Sequence, residues 1–265
     1  MSRSGGMETL KSKVIIAVLI FVIFMINSQA CFCKVSPGVI LATDEFPPYS
    51  FYLDGQLKGI AVDIVKALID KAGSSADISV LPWKRALNLS KTREMMLFPF
   101  TRLPYREKSF QWIGPIMVDS FVFAVRSSEK RAFESVEDFR DVSVGTNRGT
   151  PTTRHLQELG FDSLQVVTAE NLNAKKLLIG DRIDAWYSSY LILRYTLKIG
   201  GFNEEMIRIA YKDMDVEMYI AASLTVPDEI VAQWQHNLNE MKENGKYQEI
   251  LYESIAEWER LYQYP

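Results

Sequence analysis

The chain has 265 residues, a formal net charge of −3 and an ordinary globular composition. Its lysines and arginines form no basic block or stripe, which argues against nucleic acid binding. The only two cysteines, Cys31 and Cys33, are separated by a single residue, so they cannot cross-link distant parts of a fold.

The first 30 residues differ from the rest and are typical of a cleavable signal peptide. Three basic residues precede an apolar run at 14–26, and Ser28-Gln29-Ala30 offers a small-residue cleavage site. The apolar run, about 13 residues long, is shorter than the roughly 20 residues of a membrane span. We therefore expect secretion, with an uncleaved anchor left open as the alternative.

Cys31 directly follows the expected cleavage site, which is where a lipoprotein carries its lipid. Such signals place an aliphatic residue three positions before the cysteine, and Ser28 stands there instead. We therefore expect no lipid at Cys31. Because the leader holds three basic residues and Glu8, its removal changes the net charge from −3 to about −5. The remaining chain is long enough for one large domain or two small ones.

The first half of the mature chain predicts alternating strands and helices. Apolar runs at 39–42, 78–81 and 95–98 favour buried strands. Apolar residues at helical spacing predict helices at 60–72 and 83–89. This β-α-β-α-β order is typical of a parallel sheet with helical crossovers.

The same alternation restarts after a charged stretch at 127–131, which a strand at 121–125 precedes. Further strands are predicted at 142–145, 164–167, 185–187, 206–210 and 219–222. Further helices are predicted at 151–159, 172–179, 190–198, 228–243 and 247–262. The restart indicates two α/β lobes. Ligands of open α/β sheets bind outside the carboxyl ends of the strands.

Two strand-end loops offer aromatic side chains. In "TDEFPPYSF", Asp44 precedes Phe46 and Tyr49, and two prolines stiffen the loop by fixing φ. This loop is either an aromatic wall or a rigid turn around a core aromatic. In "LPWKRAL", Trp83 begins a helix and is a wall candidate or a core residue, while Arg85 can be simply solvated.

The segment "FTRLPYREK" places Arg106 in a first helical turn, behind Pro104. A cation there opposes the helix dipole unless an anion binds nearby. The planar fork of arginine also matches a carboxylate in two-point geometry. The alternative is an ordinary ion pair between Arg106 and Glu107 or Asp119.

The segment "GTNRGTPTTRHL" makes Thr150 an N-cap candidate, with Pro151 at the first helical position. Such a helix start can bind an anion, or it can be a plain cap. The sequence contains little that is typical of a catalytic site. His155 and His236 lie far apart without metal-ligand spacing, no G-x-S-x-G is present, and we expect no metal or cofactor.

Taken together, these segments resemble the bacterial extracellular solute-binding proteins of family 3, periplasmic receptors for polar amino acids and related solutes of ABC importers. The resemblance covers about 37–262. It rests on "ATDEFPPYSF", "DGQLKGIAVDIVKAL", "TRLPYREKSFQWIGP", "SVEDFRDVSVGTNRGT", "LLIGDRIDAW" and "NGKYQEIL" in this order. The pieces "LPWKRAL" and "FQWIGP" look like a poorly characterised branch of that family.

The resemblance implies an α/β, two-lobed periplasmic binding protein type II fold with a ligand cleft between the lobes. Two crossover strands, placed near 121–125 and 218–222, join them. Lobe 1 is expected at 38–122 plus 220–265, and lobe 2 at 123–219. The chain is expected to act as a monomer in the periplasm, with a small carboxylate as ligand and an ABC permease as partner.

The resemblance also assigns roles to site residues. The family pattern Thr-x-x-x-x-Arg maps onto Thr101 and Arg106, so Arg106 is expected to clamp a ligand carboxylate. Thr150, within Arg148-Gly149-Thr150, is expected to grip the same group. Phe46 and Trp83 are expected to sandwich the ligand body. The full expected set is Asp44, Phe46, Tyr49, Trp83, Thr101, Arg102, Arg106, Arg148, Thr150, Trp186 and Ser189, with Arg102 either lining the cleft or lying outside it.

Two departures from the family pattern affect the ligand. An aspartate that usually follows the "DA" strand and holds the ligand ammonium is Ser189 here, while Trp186 and Tyr187 make this wall more aromatic. This departure disfavours a standard α-amino acid and favours an organic acid, an aromatic acid or a modified amino acid. In addition, the family often has a glycine two residues before the threonine that corresponds to Thr101, and Pro99 stands there instead. This replacement predicts a different local backbone.

Two other functions remain open beside transport. One is a binding protein that reports its ligand to a membrane sensor. The other is a cyclohexadienyl-dehydratase-like enzyme, which uses the same fold and needs a general acid carboxylate in the cleft. The loss of the aspartate at Ser189 argues against the enzyme, although Asp44 or Glu217 would serve if either faced inward.

Overall fold

The computed structural model describes residues 38–261, with side chains to Arg260. The expected leader, its cleavage site and both cysteines lie outside the described residues. Within the described part, no helix is long and apolar enough to cross a bilayer.

Strands and helices alternate along the chain, as the sequence predicts. The strands are β1 (Ile40–Thr43), β2 (Phe51–Leu53), β3 (Gln56–Lys58), β4 (Ile78–Val80), β5 (Met95–Thr101), β6 (Phe110–Arg126), β7 (Val144–Asn147), β8 (Leu164–Val167), β9 (Ala185–Ser189) and β10 (Ile207–Ser223). The helices are α1 (Ile60–Lys71), α2 (Trp83–Leu89), α3 (Pro151–Glu158), α4 (Glu170–Leu178), α5 (Tyr190–Ile199), α6 (Asp228–Glu243) and α7 (Lys246–Leu261). Short 3-10 helices cover Pro104–Ser109, Val136–Phe139 and Glu204–Met206.

Eight strands form one sheet in the order β4-β1-β5-β10-β6-β9-β7-β8. The outer strands on each side are parallel, since β1 pairs with β4 and β5, and β7 with β8 and β9. Strands β2 and β3 form a separate hairpin across Asp54-Gly55. Both turn residues have positive φ, of 49° and 77°, which explains the Asp-Gly pair there.

The two central strands, β6 and β10, are 17 residues long each and pair antiparallel along their whole length. Strand β10 also pairs with β5 near residues 218–222, and β6 pairs with β9 over 121–125. The sequence predicted only short strands in these regions. Gly114-Pro115 interrupts the pattern of β6, and the charged stretch Lys212-Asp213 interrupts that of β10. Both lie where the register of the ladder shifts, between Met218 and Ile220 and between Lys212 and Met214.

Separate apolar cores form around the two halves of the sheet, one around β1 and β5 and the other around β6, β9 and β7. One core packs α1 and α6 against β1 and β5, and includes Ile64, Leu68, Phe98 and Trp234. Other cores surround the β6-β9-β7 side, with Phe123 and Tyr187 in one and Trp186 and Leu193 in another. This arrangement confirms the predicted mixed α/β fold with helices packed around a large sheet.

The loop after β1 is fixed against the start of α1. The carbonyl of Tyr49 accepts hydrogen bonds from Ala61 N at 3.0 Å and Val62 N at 3.4 Å. Gly59 makes this approach possible, because a Cβ at that position would lie 2.4 Å from the Tyr49 carbonyl oxygen. The loop that carries Phe46 is therefore held rigidly by the helix N-terminus.

Candidate functional site

A cavity of about 190 Å³ opens where the carboxyl ends of the strands meet. Its apolar lining consists of Phe46, Trp83, Phe98, Pro99, Phe100 and Pro151. Its polar side chains are Asp44, Thr101, Arg106 and Thr150. In one half of the sheet, the lining comes from the loop after β1, the start of α2, the end of β5 and the segment that follows it. In the other half, it comes from the loop after β7 and the start of α3. This is the position where ligands of open α/β sheets bind.

Aromatic rings form one wall of the cavity. Trp83 packs edge-on against Phe100 with ring centroids 5.0 Å apart, and Phe46 lies 5.0 Å from Tyr49. Phe46 is 36% exposed, whereas Tyr49 is fully buried beneath it. Phe98 and Phe100 are not among the ligand-binding residues expected from the sequence. The signal was available, since both belong to the apolar run that ends directly at Thr101.

Asp44 holds the aromatic wall in place. One carboxylate oxygen accepts the backbone N–H of Trp83 at 3.2 Å, and the other accepts Glu45 N at 2.8 Å. The first contact satisfies a free N–H at the start of α2, which needs an acceptor because the chain gives that helix no side-chain cap. Asp44 thus ties the loop after β1 to the helix that carries Trp83.

Arg106 lies in the 3-10 helix Pro104–Ser109, behind Pro104 at its first position as predicted. Its Nη1 donates to the carbonyl of Thr101 at 2.9 Å, and its guanidinium carbon lies 4.3 Å from the centroid of the Phe100 ring. Burial lowers the pKa of the guanidinium, and the positive charge of Arg154 lowers it further. Arginine still remains charged in such a setting.

Among residues 38–260, no Asp or Glu forms an ion pair with Arg106. The two acids that sequence analysis offered as partners are engaged elsewhere. Glu107 pairs with Arg102, and Asp119 accepts the hydroxyl of Tyr49. The Thr101 hydroxyl also forms no hydrogen bond to another described residue. The site therefore presents a half-buried cation and a free hydroxyl to the cavity.

Thr150 is the N-cap of α3, as predicted, and accepts the backbone N–H of Thr153 at 3.4 Å. Its hydroxyl donates to the carbonyl of Asn147 at 2.6 Å. Gly149 before it has φ of 74°, a left-handed conformation that favours glycine. The start of α3 consequently faces the cavity opposite Arg106.

Arg148 does not line this cavity but an adjoining one of about 630 Å³, which shares Arg106 and Thr150 with it. Arg154 lines the same space and stacks on Tyr105, with its guanidinium carbon 3.6 Å from the ring centroid. Two further arginines therefore line the adjoining space, and Arg154 is paired with Glu158 at 2.7 Å.

Arg102 lies outside the lining of the cavity. Its guanidinium pairs with Glu107 and lies 5.5 Å from the ring centroid of Trp112 and 5.1 Å from that of Tyr219. These contacts direct the guanidinium to its own segment and to the neighbouring rings. Arg102 thus presents its charge to Glu107 and not to the cavity.

Three further expected residues, Tyr49, Trp186 and Ser189, are buried and do not line the cavity. The hydroxyl of Tyr49 donates to Asp119, and Trp186 donates from Nε1 to Glu170 at 2.9 Å. Ser189 ends β9 and is 5% exposed. The expected aromatic wall from Trp186 and Tyr187 is packed into the cores of this half of the sheet.

Other reactive arrangements are sparse in the described part of the chain. No group of three or more His, Cys, Asp or Glu side chains there has metal-binding geometry. The Nε2 atom of His155 lies 3.0 Å from Asp213 Oδ2, and that of His236 lies 3.6 Å from Glu240 Oε1 on the same helix. The site thus combines the guanidinium of Arg106 and the carboxylate of Asp44 with an aromatic wall.

Comparison with protein families decides the identity. Residues 39–255 match the model of the bacterial extracellular solute-binding proteins, family 3. The chain belongs to this family. The resemblance drawn from the sequence is thereby confirmed, and the protein is a family-3 solute-binding protein. Comparison with functionally curated proteins gave no significant match.

Solved structures share the fold of this family-3 protein at low sequence identity. A histidine kinase sensor domain similar to periplasmic binding proteins has a TM-score of 0.70 and 17% identity, covering 84% of this chain and 96% of that one. The arginine-, lysine-, histidine-binding protein ArtJ of Geobacillus stearothermophilus has a TM-score of 0.65 and 18% identity, covering 85% and 100%. An ancestral amino acid-binding protein, a precursor of cyclohexadienyl dehydratase, has a TM-score of 0.65 and 20% identity, covering 82% and 94%. These likenesses confirm the periplasmic binding protein type II fold.

Proposed function

We propose that this protein captures a small carboxylate-bearing solute in the cavity and delivers it to an ABC importer. Family membership supports solute capture. The carboxylate rests on one observation: Arg106 is half-buried at the cavity without an acidic partner among the described residues. An unpaired buried cation is costly, so a bound anion stabilises it.

The residues around Arg106 complete the proposed clamp. The guanidinium offers two parallel N–H donors to the carboxylate. Thr101 adds its free hydroxyl, and Thr150 adds the start of α3 from the opposite side. Phe46 and Trp83 enclose the body of the solute.

The long strands β6 and β10 support closure of two lobes on the ligand. Around residues 118–120 and 215–217 they pair only with each other, next to the proposed lobe limits. We retain lobe 1 as 38–122 plus 220–265 and lobe 2 as 123–219. The proposed setting is the periplasm, reached through the signal peptide at 1–30, with the protein acting as a monomer.

A sensory role is the second candidate, because a histidine kinase sensor domain shares the fold with a TM-score of 0.70. In that case the closed, liganded protein contacts a membrane sensor instead of a permease. Ligand capture at Arg106 is common to both roles.

A dehydratase-like enzyme is disfavoured by the positions of the acids. Among residues 38–260, Asp44 is the only acid in the cavity lining, and both its oxygens accept backbone N–H groups. Glu217 does not line the cavity and accepts the hydroxyl of Tyr219 at 2.6 Å. Neither is placed as a free general acid.

Thermal denaturation of the mature chain against amino acids, organic acids and aromatic acids tests the proposal. A ligand at about 100 times its Kd adds roughly 2.7 kcal/mol to the free energy of unfolding. For a chain of this size, that raises Tm by about 5–10 °C. We expect such a shift for carboxylates and none for the matching alcohols. Equal shifts for acids and alcohols, or no shift for any carboxylate, would contradict it.

A further inference from the structure

We infer that helix α5 forms a latch between the two halves of the sheet, and that this latch sets how tightly the protein holds its solute. The residues of the latch lie outside the cavity lining. They are Leu191, Arg194, Tyr195 and Lys198 on α5, and Trp258 and Glu259 on α7. The effect on affinity rests on the proposed function, whereas the contact between the halves does not.

Helix α5 presents two opposite faces. Leu193 and Leu197 are buried in a core around β6 and β9, in the half of the sheet to which α5 belongs. The spacing i, i+3, i+4 and i+7 places four residues together on the other face, namely Leu191, Arg194, Tyr195 and Lys198. On that face, Leu191 packs against the core around β1 and β5. One helix therefore contacts the cores of both halves.

The end of α7, a helix of the half that contains β1 and β5, receives this face of α5. Arg194 Nη1 lies 3.2 Å from Glu259 Oε1, and the guanidinium carbon lies 5.4 Å from the centroid of the Trp258 ring. Tyr195 stacks on the same ring with centroids 6.5 Å apart, and lies 5.9 Å from the ring of Phe51 at the start of β2. Trp258 is 2% exposed, and a cation over a ring is attracted more strongly where water is excluded.

A carboxylate links α5 to the aromatic wall of the cavity. The backbone nitrogen of Leu191 lies 3.4 Å from each oxygen of Asp119, and one of these oxygens also accepts the hydroxyl of Tyr49. Tyr49 packs against Phe46 with ring centroids 5.0 Å apart. Asp119 thus joins the first turn of α5 to the loop that carries Phe46.

The cavity needs both halves of the sheet. Trp83 and Arg106 come from one half, and Thr150 and Pro151 from the other. Separation of the halves would take the start of α3 away from Arg106 and would break the contacts of the latch. The latch therefore favours the arrangement that can bind a solute. Apparent affinity is proportional to the population of that arrangement, so the latch raises affinity without touching the solute.

Small-angle X-ray scattering of the mature chain tests the latch without any solute. Glu259→Lys places a cation against Arg194 and against Lys198, whose Nζ lies 4.8 Å from the centroid of the Trp258 ring. We expect the halves to separate and the radius of gyration to rise above that of wild type. Glu253→Lys is the matched control, because Glu253 is exposed on the same helix and forms no ion pair among residues 38–260. Equal radii for wild type and both variants, or an equal rise in both variants, would overturn the latch.

Titration with the carboxylate that gives the largest thermal shift tests the effect on affinity. Glu259→Lys should bind at least about fivefold more weakly than wild type, at the low end of typical coupling between sites. Glu253→Lys should bind within about twofold of wild type, as expected for a change at an exposed charge. About 1 M sodium chloride should shrink the loss in Glu259→Lys, because it screens the added charge, whereas a packing defect would persist.

The contrary results separate the latch from the proposed function. Wild-type affinity in Glu259→Lys, or a loss that salt does not change, would overturn the role of the latch in binding. Failure of every carboxylate to raise Tm would contradict the proposed function instead. In that case, the scattering measurement still decides whether α5 holds the two halves together.

Discussion

The guanidinium of Arg102 forms a two-point ion pair with the carboxylate of Glu107, in which Nε lies 2.9 Å from Oε2. Arg106, four residues later, has no acidic partner among the described residues, and its Nη1 donates to the carbonyl of Thr101. Two arginines on one short segment thus have different tasks. The charge of Arg102 is paired with Glu107, and Arg106 leaves its charge available to the cavity.

Removal of the Asp44 carboxylate is expected to loosen the aromatic wall. Asp44→Ala leaves the Trp83 N–H at the start of α2 without its acceptor, which costs about 1 kcal/mol of stability. We also expect weaker ligand binding, because Trp83 is no longer held in place. Denaturant unfolding and titration measure the two effects. Asp44→Asn keeps an acceptor oxygen and should therefore lose less stability and less ligand affinity than Asp44→Ala. Equal losses in the two variants would contradict this role of Asp44.

Gly59→Ala is expected to displace the loop that carries Phe46. The new Cβ would lie 2.4 Å from the Tyr49 carbonyl oxygen, on a backbone with φ of 126°. Strain of this kind costs about 1–3 kcal/mol. Gly55→Ala is the matched control, because its φ is 77° but no atom lies within 4 Å of the added Cβ. A Gly59→Ala variant as stable as Gly55→Ala, with unchanged affinity, would refute the close contact.

Glu170 is expected to make stability depend on pH in an unusual direction. Burial raises the pKa of this carboxyl above 4.5, although Trp186, Asn173 and Ser188 donate to it. The folded state therefore binds the proton more tightly than the unfolded state. Its contribution to the free energy of unfolding falls as pH rises from about 4.5 through the raised pKa.

Glu170→Gln keeps the Trp186 acceptor but cannot ionise. The difference in unfolding free energy, variant minus wild type, should therefore increase with pH across this window. Glu129→Gln provides a control of opposite sign, because Arg131 lowers the pKa of Glu129 to about 2. Denaturant unfolding at several pH values measures both differences. A Glu170→Gln difference that stays constant with pH would contradict the prediction.

The alternating core of the fold could be predicted from the sequence. Helices at 60–72, 83–89 and 228–243 carry regular apolar faces and clear ends, and the structure places them within a residue. The length of β6 and β10 could not be predicted. Strand β10 pairs with β5 only from Met218 onward and is half-buried or exposed before Val216, so charged residues such as Lys212 and Asp215 are accommodated there.

The candidate site was predictable where chemistry follows a strand end directly. Phe46, Trp83, Thr101, Arg106 and Thr150 all line the cavity. Orientation was harder to predict. Strand β9 is buried on both faces, so its sequence does not show that Trp186 and Ser189 are absent from the cavity lining. The placement of Arg102 likewise depends on its contact with Trp112 and Tyr219, which are distant from it along the chain.

The most direct test of the central claim is titration of Arg106→Ala and Arg102→Ala with the carboxylate that gives the largest thermal shift. Truncating one partner of a buried charge pair costs about 2 kcal/mol or more, so Arg106→Ala should weaken binding at least about 30-fold. Its unliganded Tm should change little, because the loss of the hydrogen bond to Thr101 and of the contact with Phe100 is offset by the removal of an unpaired, half-buried charge. Arg102→Ala should bind within about twofold of wild type, as expected for an exposed ion pair. An Arg106→Ala variant with wild-type affinity would contradict the account.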